Sequence, residues 1–565
     1  MTPEAAARLP PPAGALQVNR CKNPACVRFG ALPIPSADAA PPARHGIGPG
    51  AYYDGRYAIG AAGRTQTPPV LECLSCGEAP PLKSNAAIAA EIERSDGASG
   101  AVRVGCPNPD CRQCGAAPSA RPEGYARSGK TGAGAQRLEC KVCGRRFTPN
   151  ARVSGPPRQP LLYEEYQALR MCAEHIPFRK ILESAGLNAG RFYPLLHRAA
   201  DAARAFQSRG DARAARLAPG GNGRIRLATD RQIYSVNWSD RGDRRKVMVH
   251  GIATADLDTG YVYAMDANYD PEADAGALAR EARANGDAAR PPCYRRGEAA
   301  RIWLPRERDR RMEGDADVGA TTGAAASRRY RRAAARADVE MPEAAGRAPA
   351  RGALVREDVS VYAHFLRVRR MLGAAPRRTT LYFEQESAMR AACMEAWGED
   401  IRAGRCEAYY VRIAKDRTAR EKREIGAAAR KRVETVMAAE GCDALEARRR
   451  LVRDALDRME PRGPWRDRWL THPCPSAFEP EKEVCRLTRR DPGEREAERP
   501  AVVDGYAFAS LGAADRFFLR VRYALNALDR ARASVRLLRA RTSCDESAAN
   551  RAILGHAPGC TGDRR

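Results

Sequence analysis

The stretch RIRLATDRQIYSVNW, residues 224–238, decides the fold. It is crowded with the β-branched and aromatic residues that strands favour. It reads as one strand that bends after Asp230. KVMVHGIATAD (246–256) and YVYAMDA (261–267) continue the pattern, set apart by charged turns at 239–245 and 257–260. Together they predict a three-stranded antiparallel meander with an acid, Asp230, inside its first strand.

Residues 271–356 are rich in Ala, Arg and Glu and read as a mostly helical or flexible insertion. Alternation then resumes, with a helix over 359–372, a strand over 379–383, a helix over 387–397 and a strand over 406–413. Three antiparallel strands followed by αβαβ is the order of the α/β ribonuclease-H-like fold. A charged stretch, 417–459, carries Ile425, Val433, Val436, Met437, Leu445, Leu451, Val452 and Leu456 at helical spacing. It predicts one or two amphipathic helices that either dimerise or pack onto the domain. Residues 465–480 read as a loop near the site. His364 and His472 read as structural, and Tyr382, Phe383, Phe517 and Phe518 as core. Beyond Leu538 the helical periodicity is lost.

Upstream, nine of the 18 Cys fall between Cys21 and Cys143, and they repeat. Cys21-Lys-Asn-Pro-Ala-Cys26 matches Cys106-Pro-Asn-Pro-Asp-Cys111. Leu71-Glu-Cys73-Leu-Ser-Cys76-Gly77 matches Leu138-Glu-Cys140-Lys-Val-Cys143-Gly144. Two thiolates a few residues apart can face one ion across a tight turn, and two such turns complete a tetrahedral site. The pattern predicts two closed structural zinc ribbons, Cys21/Cys26/Cys73/Cys76 and Cys106/Cys111/Cys140/Cys143. Cys114 aligns with Phe29 of the first unit and reads as packing. The connector after Gly77 is Ala-rich and predicts a short helix.

GYARSGKT (124–131) matches the phosphate-loop pattern letter for letter, but no apolar strand precedes it and no helix follows. It reads as a flexible loop in the second ribbon. Next, helical spacing over 161–173, a break at 175–178, Gly186 and an Asn cap near 188 predict a helix-turn-helix. Asn188, Arg191 and Tyr193 are its candidate DNA contacts.

The chain has 565 residues, with 96 Lys+Arg against 69 Asp+Glu and a formal charge of +27. That length suits several domains, and the charge points to a polyanionic partner. No apolar run of about 18 residues occurs, which excludes a membrane-spanning helix. The N-terminal residues lack the plan of a signal peptide.

In this order, the ribbons with Cys143-Gly-Arg-Arg-Phe147, the helix-turn-helix, LATDRQIYSVNW, TTLYFEQES and ASLGAADRFFLRVRYAL resemble bacterial insertion-sequence transposases of the DDE/DDD class. The resemblance covers roughly residues 20–270 and 355–535. It implies a multidomain chain: ribbons at 18–80 and 103–150, a helix-turn-helix at 158–215, a ribonuclease-H-like domain at 222–540 with insertions near 271–356 and 415–505, and an unstructured tail at 541–565. It implies metal-dependent cleavage and strand transfer by three carboxylates holding two Mg²⁺ or Mn²⁺ ions. Asp230 takes the first position. Glu384 takes the second, where aspartate is usual, with Glu386 its close alternative. Asp515 takes the third, with Glu479, Glu481 and Glu483 as rivals and Arg516, Arg520 and Arg522 facing DNA. The implied partners are double-stranded DNA, as element ends and target, and a second copy in a homodimer. No membrane is involved, and the implied location is the cytoplasm, at the nucleoid. The alternative reading is an inactive or repurposed zinc-ribbon DNA-binding protein. An RNA-processing nuclease of the same fold is a third.

Overall fold

The structure, a computed structural model, describes residues 9–33, 52–53, 57–60, 69–98, 106, 108, 111, 122–130, 136–148, 163–174, 176–196, 198–199, 203, 206–207, 223–238, 246–304, 348–373, 378–414, 416–462, 465–488, 499–525 and 534–535. Cys114, the turn at 239–245 and the tail at 541–565 lie outside them. The chain divides into two compact units. One comprises Met1–Ile92, Leu217–Arg522 and Leu528–Arg536, the other Glu93–Arg216, Tyr523–Ala527 and Leu537–Arg565. The residues of the 18–80 ribbon therefore fall in the unit of the large sheet.

In that unit β1 (Tyr52–Tyr53), β2 (Tyr57–Gly60) and β3 (Val70–Cys73) form a three-stranded antiparallel sheet, followed by α1 (Asn85–Ala98). In the other unit β4 (Tyr125–Lys130), β5 (Gln136–Cys140) and β6 (Arg146–Phe147) form a second three-stranded antiparallel sheet, in which β4–β5 is the counterpart of β2–β3. The registers correspond residue by residue. Tyr57 pairs with Cys73 and Ala58 with Glu72, while Tyr125 pairs with Cys140 and Ala126 with Glu139. The repeat seen in the cysteines thus extends into the strand before each second knuckle. It also corrects the reading of GYARSGKT, because residues 125–130 are a strand laddered to β5. A phosphate loop needs an open turn leading into a helix, and this segment is neither that nor a flexible loop.

α2 (Tyr163–Ala173), α3 (Phe178–Ala185) and α4 (residues 189–196) follow. Gly186 ends α3 at φ 61°, the left-handed conformation that costs glycine nothing. The Asn188 Oδ1 accepts the Arg191 N–H at 2.9 Å and caps α4. Ala168, Cys172, Ile181, Ala185, Phe192 and Leu195 form the buried seam of the three helices.

The first unit is built on a mixed sheet. β7 (Arg224–Trp238), β8 (Val247–Asp256) and β9 (Val262–Ala267) form the antiparallel meander. The β7–β8 pairing keeps one register from Leu227 to Val236, so no bulge interrupts the ladder at Asp230. β10 (Tyr269–Asp270) and α5 (Ala275–Ala284) come next, then β11 (Ala353–Leu354), α6 (Glu357–Met371), β12 (Arg378–Phe383), α7 (Met389–Ala396), α8 (Gly398–Arg402) and β13 (Cys406–Arg412). β12 lies parallel between β7 and β13. The sheet order is β14-β15-β16-β13-β12-β7-β8-β9, where β14 (Pro461–Arg462), β15 (Asp467–Thr471) and β16 (Glu483–Arg486) run antiparallel along the β13 edge.

Helices cover both faces, because successive residues of a central strand point opposite ways. Phe383 meets Phe365 of α6 at 5.8 Å between ring centroids, and Phe365 meets Trp397 at 6.0 Å. Its neighbour Tyr382 turns the other way, to Tyr409 at 5.5 Å, and Tyr409 packs on Tyr506. Each fully buried aromatic of this kind contributes about 2–3 kcal/mol of transfer free energy. The second face is covered by α10 (Ala444–Asp457) and α11 (Arg499–Ala507), after α9 (Ala419–Glu440) and before α12 (Gly512–Ala524). A reciprocal capping box between Thr418 and Glu421 starts α9, and Asp443 caps α10.

Two expectations change here. The flanks of the 271–356 insertion are packed structure: β10 pairs with β11, Trp303 is buried, and its Nε1 donates to Glu357 Oε2 at 2.9 Å. Residues 465–480, expected as a loop, contain β15. The stretch near 415–505 adds strands to the sheet as well as helices, since Trp469 and Leu470 have apolar partners there.

Candidate metal centres

Each cysteine group forms where two knuckles close. Cys26 and Cys111 donate their N–H to Asn23 and Asn108 carbonyls at 3.0 and 3.1 Å, while Gly77 and Gly144 donate to Cys73 and Cys140 carbonyls at 2.7 and 2.8 Å. Gly77 and Gly144 take φ 73° and 71°, which only glycine adopts without strain. The turns aim the thiols inward. Sγ–Sγ distances are 3.7 Å for Cys21–Cys76, 3.8 Å for Cys26–Cys73, 3.4 Å for Cys106–Cys143 and 3.6 Å for Cys111–Cys140. In each group all four ligand atoms lie within 4.8 Å of one another. A tetrahedral ion with Zn–S bonds of about 2.3 Å needs sulfurs about 3.8 Å apart. Both groups could therefore hold zinc, with every coordination position filled by protein. The Arg145 backbone N–H, aimed at the exposed Cys143, pulls its thiol down to about 6 and favours the thiolate a metal binds.

Asp230 and Glu384 lie at the large sheet, and Asp515 lies on α12. In the parallel β12–β7 register the last pair is Phe383 with Thr229, so Glu384 and Asp230 follow side by side at the same end of adjacent strands. Asp230 is only 7% exposed, and its Oδ1 has no hydrogen-bond partner among the described residues. Burial raises its carboxyl well above the usual 3.8, and Asp515, Glu384 and Glu386 push it further, in that order. All three neighbours are thus within electrostatic reach of Asp230. Among the described residues these acids do not meet the 4.8 Å spacing of the cysteine groups.

The rivals for the third position are engaged elsewhere. Glu479 is buried, and its Oε1 accepts from the Ser510 hydroxyl at 2.6 Å and the Leu511 N–H at 2.8 Å, while its Oε2 accepts from Lys482 at 3.0 Å. It anchors the start of α12, the helix that carries Asp515. Glu481 pairs with Arg417 at 2.6 Å, and Glu483 with Arg412 and Arg462 at 3.1 and 3.0 Å. Glu386 forms an ion pair with Arg231 at 3.0 Å. Arg231, which the sequence reading passed over, also contacts His250. Its only signal was adjacency to Asp230.

Arg516 and Arg520 are exposed on α12 beside Asp515, while Arg522 Nη1 donates to Gln232 Oε1 at 2.9 Å and ties the helix to β7. Asn188, Arg191 and Tyr193 are exposed in the second unit, with the Asn188 oxygen committed to its cap. Both histidines are internal. His364 lies between Thr254 Oγ1 at 2.8 Å and Asp266 Oδ2 at 2.7 Å. Burial pushes His472 down to about 3, so it is neutral at physiological pH. Tyr382, Phe383, Phe517 and Phe518 are all buried. No described helix is long and apolar enough to cross a membrane. No family model matches the chain, and no curated protein or solved structure was found to match it.

Proposed function

We propose that this chain is a DNA transposase whose ribonuclease-H-like domain cleaves element ends and transfers the freed strand with two Mg²⁺ or Mn²⁺ ions. The observation that carries the proposal is the buried Asp230, with an unpartnered oxygen, facing Asp515, Glu384 and Glu386. Such a concentration of like charge calls for cations, and hard oxygen ligands suit Mg²⁺ and Mn²⁺. Strand order 3-2-1-4-5 in β9-β8-β7-β12-β13, with the last two parallel to the first, supports the fold assignment. In this reading Asp230, Glu384 and Asp515 hold the ions, Glu386 is set back by its pairing with Arg231, and Arg516 and Arg520 approach phosphate. The α2–α4 helices would read the element end, with Arg191 and Tyr193 towards the groove.

Strand transfer of end-containing duplex DNA with Mg²⁺ or Mn²⁺ tests the proposal. Wild type is expected to be active and Asp230→Ala to lose activity by at least about a thousandfold, the loss of a metal-organising group. Equal activity in both proteins would sink it. Glu384 favours a second reading, a DNA-binding protein that has lost catalysis, because its side chain is one methylene longer than the usual aspartate. Inactive wild type with sequence-specific binding intact, and activity appearing in Glu384→Asp, would establish that reading instead.

A further inference from the structure

The two ribbons share one plan but differ in what their cations do. In the first, residues 18–33 and 69–83 carry Arg20, Lys22, Arg28 and Lys83. Arg20 and Lys22 both pair with the buried Glu395 of α7. Lys83 pairs with Asp358 of α6 at 2.5 Å. Glu78 accepts from Arg390 at 2.5 Å, and the Phe29 carbonyl accepts from Arg402 at 3.0 Å. Its cysteines pack with Leu71, Leu82 and Cys293 in one buried cluster. Among the described cations of this ribbon, Arg20, Lys22 and Lys83 face inward, onto the helices of the large sheet.

The second ribbon is the reverse. Residues 122–148 carry Arg127, Lys130, Arg137, Lys141, Arg145 and Arg146 against Glu123 and Glu139. All six cations are exposed. Only Arg146 forms an ion pair among the described residues, with Glu139 at 2.7 Å. Arg127, Lys130 and Arg137 lie on the β4–β5 hairpin, while Lys141 lies inside the Cys140–Cys143 knuckle and Arg145 just beyond it. A small, rigid, cross-linked body with five unneutralised cations suits a polyanion backbone, where each contact releases counterions.

Taking double-stranded DNA as the partner, as in the function above, we propose that the duplicated zinc sites have divided their work. The Cys21/Cys26/Cys73/Cys76 ribbon is an internal staple of the large unit. The Cys106/Cys111/Cys140/Cys143 ribbon is a phosphate-binding module that grips DNA through Arg127 and Lys130 on one side of its hairpin, Arg137 on the other, and Lys141 and Arg145 at its knuckle.

The test uses full-length, zinc-loaded protein and a fluorescent mixed-sequence DNA duplex titrated at several salt concentrations. Neutralising the five cations to Gln is expected to weaken binding roughly a hundredfold near 0.15 M salt and to lower the slope of log Kd against log salt by about 3, the effect of losing three or more phosphate contacts. Zinc should stay at two equivalents. Lys130→Gln with Arg137→Gln leaves the knuckle untouched and should lower the slope by about 1–2. Lys83→Gln in the first ribbon should lower the melting temperature and leave the slope unchanged. An unchanged slope in both second-ribbon variants overturns the proposal while leaving the transposase reading intact. Tighter binding of RNA than of duplex DNA by wild type overturns the choice of partner. A wild type that binds no duplex at all removes this proposal and the function above together.

Discussion

Asp230 is a buried acid that feels three other carboxylates. Its carboxyl is raised above 3.8 first by burial and then by Asp515, Glu384 and Glu386. A carboxyl raised in the folded state favours folding when protonated. Its contribution is fully present below about 3.8 and is lost as pH climbs through the folded value. Keeping that carboxyl ionised therefore costs the folded, metal-free protein free energy. Asp230→Asn is expected to stabilise the metal-free protein at pH 7.5 by on the order of 1–3 kcal/mol, the repulsion of one close like-charge pair at an effective dielectric of about 20. On the proposed two-ion reading, Mn²⁺ should raise the melting temperature of wild type and leave that of the variant unchanged. Thermal melts of both proteins from pH 5 to 8, with and without Mn²⁺, measure this. A gap that narrows with rising pH would contradict it.

Among the elements, the closest fit is between α11 and β13. A Cβ added at Gly505 would lie 2.0 Å from the Tyr409 hydroxyl and 2.5 Å from its ring. Tyr409 is fully buried and packed between Tyr382 and Tyr506, so it has nowhere to turn. The glycine lets the helix settle onto the sheet, and its carbonyl accepts the Tyr382 hydroxyl at 2.8 Å. Gly505→Ala should cost about 1–3 kcal/mol, the usual range for overpacking, read as a lower urea midpoint at unchanged slope. A midpoint within error of wild type would mean the helix stands off further than described. The cost should reach function too, since α11 leads into the turn where Glu479 holds α12 and Asp515.

For the whole molecule, the decisive joint in the large unit lies between the first ribbon and α7. Burial alone would raise Glu395, but Lys22 and Arg20 outweigh it and hold the carboxyl below its usual 4.5. Removing it leaves the buried Lys22 charge uncompensated. Glu395→Ala should therefore destabilise the large unit by about 3–5 kcal/mol. A carboxyl lowered in the folded state contributes above its unfolded value and fades as pH falls through the folded one. The difference between variant and wild type should thus shrink below about pH 4.5. Hydrogen exchange is the measurement: protection in 20–33 and 389–396 should drop, with 136–147 of the second unit unaffected. Equal loss in both regions would show that the first ribbon is not a local staple.

Periodicity and spacing are local properties, and what depends on them was legible in the chain. The strand at 224–238, the αβαβ alternation, both Cys₄ groups and the helix pair all rest on residues near in sequence. Partnership across the fold is not local, and the misreadings lie there. GYARSGKT became a strand because β5 offered it a ladder. β15 formed in a supposed loop because β16 lay alongside. Glu479, Glu481 and Glu483 could be separated from Asp515 only once their cations were in place. The ribbons look alike in sequence because cysteine spacing encodes a turn, whereas the surroundings of that turn are set by contacts hundreds of residues away. The sequence by itself determined that the chain has two zinc-type knuckle pairs and an acid-bearing mixed sheet. Only the tertiary structure decided that one ribbon's cations face Glu395 and Asp358 while the other's face solvent, because charge burial depends on which surfaces meet.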